Sequence, residues 1–281
     1  MPGSRLIQRI QEISHRAGFI AVAVSFYDYE STVAFSYHAD RYFHAASTIK
    51  VALLLAVLKA AEEGKLNLSG RLHVRNRFHS VVDGAIYRVS PDRDGDAETH
   101  RRIGRAVPIG DLARAMIVRS SNLATNLLFD FLGRDYIRGV VEQAGIAGLK
   151  FERGVEDEAA FAQGLNNEVT ADGLLQLFRV FCDRRLLSEE SCERAIAILL
   201  AQEFNGMIPA KLPGPARVAH KTGEISTACH DAGIVFLPDR QPYVVAILTE
   251  GPPEQRDRQK AVAAISGAIF HHLTDVVKRD A

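Results

Sequence analysis

The sequence predicts an α/β (α+β) protein in which an antiparallel sheet is flanked by the terminal helices and an all-α lobe is inserted between its strands. Three observations carry this expectation. Segments rich in β-forming residues cluster at 19–37 and again at 216–249, and the long stretch between them is dominated by helical apolar spacing. Strands at both ends of a chain are buried most simply by one sheet that recruits both ends. At 281 residues, with 47% hydrophobic and 24% charged residues, the chain is long enough to bury one large core or two smaller ones.

The elements follow in order. Leu6, Ile10, Ile13 and Ala17 recur at helical spacing, so residues 4–17 open the chain as a helix that Gly18 ends. Residues 19–27 have strand length and composition, Asp28-Tyr29-Glu30 turns the chain, and residues 31–37 form a second strand. Ser47 then opens an apolar helix that runs to about residue 63 and stops at Gly64. Helical spacing returns at 112–118, 122–132, 136–144, 171–181 and 189–202. The polar stretch at 78–106, with Asp92-Arg93-Asp94-Gly95-Asp96, reads as a solvated insertion loop. Residues 216–221, 231–237 and 243–249 read as strands, with Pro238-Asp239-Arg240 turning between the last two. A closing helix at 256–277 presents Val262, Ile265, Ile269 and Leu273 to the core. The organisation expected is an α/β lobe from residues 1–57 and 208–281 and an all-α lobe from 58–207.

Composition narrows the function classes. A formal net charge of +0 supplies no field for nucleic acid or an anionic membrane, so neither is an expected partner. Cys182, Cys192 and Cys229 are an odd set without metal-ligand spacing, which argues for reduced thiols and against a zinc site. The apolar run at 51–58 is too short to span a bilayer. Residues 1–13 carry charge throughout and contain no apolar signal core, which leads us to expect a cytoplasmic protein. A leader upstream would make it periplasmic or secreted. A monomer acting on a small molecule is the expected state.

Three short elements carry the chemistry. Ser47-Thr48-Ile49-Lys50 puts a hydroxyl and an amine one helical turn apart, as a nucleophile and its base require. Lys50 precedes an apolar run, Val51-Ala52-Leu53-Leu54-Leu55, and burial there disfavours the ammonium form. Ser120-Ser121-Asn122 follows at domain-scale spacing, and Lys221-Thr222-Gly223 closes the set at the end of a strand. Lys221 and Thr222 can bind a substrate carboxylate, and Gly223 lets the backbone approach a ligand. Taken singly, each element has a structural reading: an N-cap serine, a snorkelling lysine, a capped helix, a turn glycine. His220 and His230 read as structural partners, with His230 able to titrate near neutral pH.

In this order, S-x-x-K, S-x-N and K-T-G resemble the class A β-lactamases and penicillin-binding proteins. The resemblance spans most of the chain and implies a β-lactamase/transpeptidase-like fold, with the active site between two lobes. It implies that Ser47 is the acylated nucleophile, that Ser120 relays protons to the leaving group, and that Asn122 binds the substrate amide. It places a second oxyanion donor on the backbone N–H of Glu224. No metal or organic cofactor is implied. The sequence departs from the pattern at Ser121, where aspartate is usual. It departs again after Arg153, where the R-x-E step lands on Val155 and the carboxylate of Glu156 comes one residue later; Asn167 stands where a loop-closing acid is expected. The first reading is therefore a serine hydrolase that opens β-lactam rings, with Glu156, or failing it Asp157, orienting the deacylating water. A D-alanyl-peptidase-like or esterase-like enzyme and an acylable sensor that does not turn over are the rival readings.

Overall fold

The computed structural model describes residues 2–252 and 257–280, and side chains for all of these except 2–3 and 275–280. In chain order the elements are α1 (Pro2–Arg16), β1 (Ala21–Asp28), β2 (Ala34–Tyr37), β3 (Phe43–His44), α2 (Lys50–Glu62), β4 (Arg71–His73), β5 (Phe78–His79), β6 (Ile86–Tyr87), α3 (Ala97–Arg101) and β7 (Ala106–Pro108). They continue with α4 (Ile109–Val118), α5 (Asn122–Leu132), α6 (Arg134–Gln143), β8 (Leu149–Lys150), α7 (Glu158–Ala162), β9 (Glu168–Val169), α8 (Ala171–Cys182) and α9 (Glu189–Leu200). The last are β10 (Arg217–Ile225), β11 (Ala228–Phe236), β12 (Tyr243–Glu250) and α10 (Arg258–Asp280). Arg256, where the sequence starts the closing helix, lies outside the described residues.

The chain divides into two compact units. One comprises Met1–Thr48, Val169–Arg179 and Phe204–Ala281. Its sheet has the order β10-β11-β12-β1-β2 and is antiparallel throughout, so β1 from the start of the chain pairs with β12 from the end, Ser25 opposite Ala246. The terminal helices supply the apolar cover: Leu6, Ile10 and Ile13 of α1 join Val262, Ile265, Ile269 and Leu273 of α10 in one core with Val24, Phe26, Val245 and Ile247 of the sheet. This is the antiparallel sheet with flanking terminal helices that the sequence predicts.

The other unit comprises Ile49–Glu168 and Val180–Glu203. Helix α2 is its centre and contacts α4, α5, α6 and α9. Every residue from Lys50 to Leu58 is buried, which is why this helix carries apolar residues all round instead of on one stripe. Each buried leucine among Leu53, Leu54 and Leu55 contributes about 1.5–3 kcal/mol relative to exposure.

Two expectations need correction. The stretch at 78–106 is not a solvated loop. It holds the β5–β6 pair and α3, and buries Phe78, Val89, Asp96 and Thr99. Its polar residues mislead because their carboxylates are consumed by internal hydrogen bonds. Lys221-Thr222-Gly223 does not end a strand either, because β10 runs on to Ile225 and pairs Glu224 with Cys229. Among the described residues, no helix is long and apolar enough to cross a membrane.

Candidate active site

Ser47 lies in a 3-10 turn, Ala46–Ile49, that runs directly into α2. Residues three apart eclipse in such a turn, which is the local geometry S-x-x-K exploits. The capping role open to Ser47 is not taken up: the N-cap of α2 is Ile49, with no side-chain cap. The turn is entered through Ala46 at φ +46°, a left-handed conformation that costs a non-glycine residue about 1–3 kcal/mol. It is held by Thr48, whose N–H (3.1 Å) and Oγ1 (2.6 Å) both donate to the Ala45 carbonyl, and by the Ala46 N–H donating to His44 Nδ1 at 3.0 Å.

Strand β10 passes close to this turn. A Cβ on Gly223 would stand 3.0 Å from the Thr48 backbone nitrogen and 3.1 Å from that of Ser47, so any side chain there would force the turn to give by a few tenths of an ångström. Lys221 is fully buried, and its Nζ donates to the Thr222 carbonyl at 2.8 Å; Thr222 is buried beside it. The exposed Glu224 side chain accepts from Gln259 Nε2 at 2.8 Å.

The two neighbouring histidines are structural. His220 Nδ1 lies 2.9 Å from Asp231 Oδ1 and its Nε2 lies 3.1 Å from Asn205 Oδ1. His230 does not titrate near neutral pH: burial pushes its pKa down to about 4. Its Nδ1 accepts the Thr249 N–H at 3.1 Å, which leaves the single proton on Nε2, 3.0 Å from the His44 carbonyl.

In the helical unit, Lys50, Ser120, Asn122 and Glu156 form one hydrogen-bonded chain. Lys50 Nζ is 2.7 Å from the Ser120 carbonyl, 3.2 Å from Ser120 Oγ and 2.7 Å from Asn122 Oδ1. Complete burial lowers its pKa from 10.5 to about 7, against the opposing charges of Asp94 and Glu156. The loss of hydration therefore outweighs two carboxylates, and the amine sits near the midpoint of its titration at neutral pH. Asn122 Nδ2 donates to the Arg93 carbonyl and to Glu156 Oε1, both at 3.1 Å, so both amide hydrogens are engaged and one lone pair of Oδ1 is left beyond the Lys50 bond. Glu156 Oε2 accepts the Ser90 N–H at 3.0 Å and lies 3.9 Å from Arg93 Nη1.

Backbone strain marks the same residues. Ser120 has φ +56° and Glu156 φ +64°. The second value explains the one-residue departure after Arg153. Asn126 brackets Val155, accepting its N–H at 2.7 Å and donating to its carbonyl at 2.8 Å. Val155 is thereby pinned, and the left-handed turn at Glu156 sends the next side chain back to Asn122. Gly154 lets this segment approach Tyr87 and Asn126, since a Cβ would collide with the Tyr87 hydroxyl and lie 3.1 Å from Asn126 Oδ1. Asp157 is occupied otherwise: it caps α7 by accepting the Ala160 N–H at 3.1 Å and also takes the Val81 N–H at 3.1 Å. The loop neck is closed by amides. Asn167 Oδ1 accepts the N–H groups of Glu152 (2.8 Å) and Arg153 (3.1 Å), and Arg153 Nη2 donates to Asn166 Oδ1 at 3.1 Å.

A model of the beta-lactamase enzyme family matches residues 5–273. The chain belongs to this family. Among curated relatives, beta-lactamase ROB-1 of Haemophilus influenzae is 28% identical over 260 residues, covering 90% of this chain and 79% of the relative. The extended-spectrum beta-lactamase PER-1 of Pseudomonas aeruginosa is 25% identical over 236 residues, covering 79% and 72%. Among solved structures, PBP-A is 25% identical with a TM-score of 0.83 over 96% of each chain, and a mutant of it was solved as an acyl-enzyme complex with penicillin G. A beta lactamase from Xanthomonas campestris reaches a TM-score of 0.84 at 22% identity and shows the shared fold. Family membership makes the chain a serine β-lactamase-like hydrolase.

Sequence reasoning missed several residues around this candidate site. Ser90 and Arg93 hold Glu156, and Asp94 touches the start of α5; Asn126, four residues after Asn122 and so readable as a brace for the loop, holds Val155. The one available signal was the acidic repeat Asp92, Asp94, Asp96 in a chain whose second motif lacks its usual aspartate.

Proposed function

We propose that this chain opens β-lactam rings through an acyl-enzyme on Ser47 and releases it with water. The observation that supports this best is Lys50, an amine buried among Ser120 and Asn122 with a pKa near 7. In its neutral form Lys50 accepts the Ser47 proton as Oγ attacks the lactam carbonyl, and the N–H groups of Ser47 and Glu224 receive the oxyanion. Collapse breaks the ring C–N bond, and the proton passes through Ser120 to the departing nitrogen. Ser120 suits this relay, since its hydroxyl accepts from an ammonium and donates to an amine at the same 3.2 Å contact. Lys221 and Thr222 bind the substrate carboxylate and Asn122 its side-chain amide. Glu156 then takes a proton from the incoming water as the water oxygen bonds to the ester carbonyl carbon, and the C–Oγ bond breaks with that proton returning to Oγ, which restores Ser47 and releases the ring-opened acid.

Nitrocefin turnover tests the proposal. Steady hydrolysis supports it. A single-turnover burst would instead favour a sensor that acylates without release, and no reaction beside cleavage of D-alanyl peptides or esters would favour the peptidase-like reading.

Two further results are expected. The acylation rate should rise with pH from about 5 to about 9, because only the neutral amine is a base and its fraction grows above the pKa. The midpoint should fall at about 7 and not at the ordinary lysine value of 10.5. Rapid-quench mass spectrometry of penicilloyl adduct across this range measures it, and Lys50→Arg, which cannot lose a proton, should erase the limb. Lys221→Ala should lower kcat/KM for a carboxylate-bearing β-lactam by about 10- to 150-fold, the worth of one charge-assisted hydrogen bond. An uncharged p-nitrophenyl ester should lose much less. Equal losses on the two substrates would assign Lys221 to structure or proton transfer.

A further inference from the structure

A helix N-terminus leaves its first N–H groups without intrahelical acceptors. In α5 these groups are met from two directions. Ser121 Oγ accepts the Ala124 N–H at 3.2 Å, as an N-cap serine does. The Asn122 and Leu123 N–H groups donate to Asp94 Oδ1 and Oδ2, each at 2.9 Å. One carboxylate from 28 residues upstream thus straddles the start of the helix. Its side chain is wholly buried, and His100 Nε2 lies 2.9 Å from Oδ2, so the ring nitrogen must carry the proton there.

The same loop grips both sides of the Ser120 turn. The Arg93 carbonyl takes the Asn122 side-chain amide at 3.1 Å, and Asp96 Oδ1 takes Arg119 Nε at 2.8 Å. Asp96 is itself fixed by the Glu98 N–H at 3.1 Å and by Thr99 Oγ1. Ser120 lies between these anchors at φ +56°, a conformation that persists only where its surroundings impose it.

We propose that Asp94 is a positioning residue for the second motif: it supplies from the 91–96 loop the carboxylate that Ser121 lacks, and holds Ser120 and Asn122 against Lys50. The inference deepens the β-lactam-opening reading and rests on it for its kinetic readout. A carboxylate that merely capped α5 would change thermal stability alone. A positioning carboxylate also sets the rate, and its work transfers to any carboxylate that reaches the same N–H groups.

The experiment compares wild type, Asp94→Ala, Asp94→Asn and the double variant Asp94→Ala with Ser121→Asp. Adduct formation with benzylpenicillin is followed by mass spectrometry, and Tm is measured alongside. Asp94→Ala should slow acylation by about 10²-fold, the cost of a small misplacement of reacting groups. The double variant, with a carboxylate on the helix's own N-cap, should regain about tenfold or more of that loss. A rate within about threefold of wild type in Asp94→Ala, or a double variant that recovers Tm without rate, overturns the proposal. Should Asp94→Ala not fold, Asp94→Asn decides by the threefold rate limit, since its amide offers one acceptor where two are used. If wild type itself forms no adduct, the β-lactam reading fails and amide hydrogen exchange decides this one. Asn122 and Leu123 should then exchange at least about tenfold faster in Asp94→Asn while the rest of α5 keeps its protection, and unchanged exchange would overturn it.

Discussion

Ser47→Ala is expected to abolish covalent labelling by benzylpenicillin and to reduce β-lactam turnover by about 10⁶-fold, the loss seen when a serine hydrolase is deprived of its nucleophile. The loss should be this large because no neighbouring group replaces the Oγ. Thr48, the adjacent hydroxyl, is fully buried and donates to the Ala45 carbonyl at 2.6 Å. The fold should be untouched, since α2 takes no side-chain cap from Ser47 and the turn is held by Thr48 and by the His44–Ala46 contact. Intact-mass spectrometry with circular dichroism checks both halves. A penicilloyl adduct on the variant would move the nucleophile elsewhere.

The second large effect is expected at Glu156. Glu156→Gln should acylate at close to the wild-type rate and then accumulate acyl-enzyme, with deacylation slowed by about 10²–10⁴-fold, the range for loss of a general base. Glutamine preserves the acceptor oxygen for the Ser90 N–H or the Asn122 amide but cannot take a proton from water. Asp157→Asn should keep most turnover, because the Asp157 carboxylate serves as the α7 cap and as acceptor for Val81. Pre-steady-state nitrocefin kinetics separate the cases. A burst in Glu156→Gln supports the assignment, a burst confined to Asp157→Asn transfers it, and steady turnover in both would leave Lys50 as the base of both half-reactions.

Much of the molecule was legible in the residue order. The terminal helices and the five sheet strands follow from local periodicity, and β10 was misjudged only in length, since a glycine inside a strand reads like a strand end. Ser47 and Lys50 could be paired on paper because their relation is one helical turn. Residues 78–106 were illegible for the opposite reason. Asp94 and Asp96 look like a solvated acidic run, and only their distant partners at Arg119, Asn122 and Leu123 make them interior groups. His230 was read rightly as a structural partner but wrongly as able to titrate near neutral pH, because only its burial and the Thr249 N–H, neither visible in the residue order, keep it neutral.

The sequence by itself determined the family, the order of helices and strands, and the candidate nucleophile with its neighbouring amine, all of which depend on spacing within a turn or on the burial forced by an apolar run. Tertiary structure alone decided which carboxylate faces Asn122, what caps α5, and why position 223 suits glycine. Each of those rests on a backbone angle such as φ +64° at Glu156, or on an approach between segments tens of residues apart such as the 3.1 Å that a Gly223 Cβ would have to the Ser47 nitrogen. Local propensity contains no term for either.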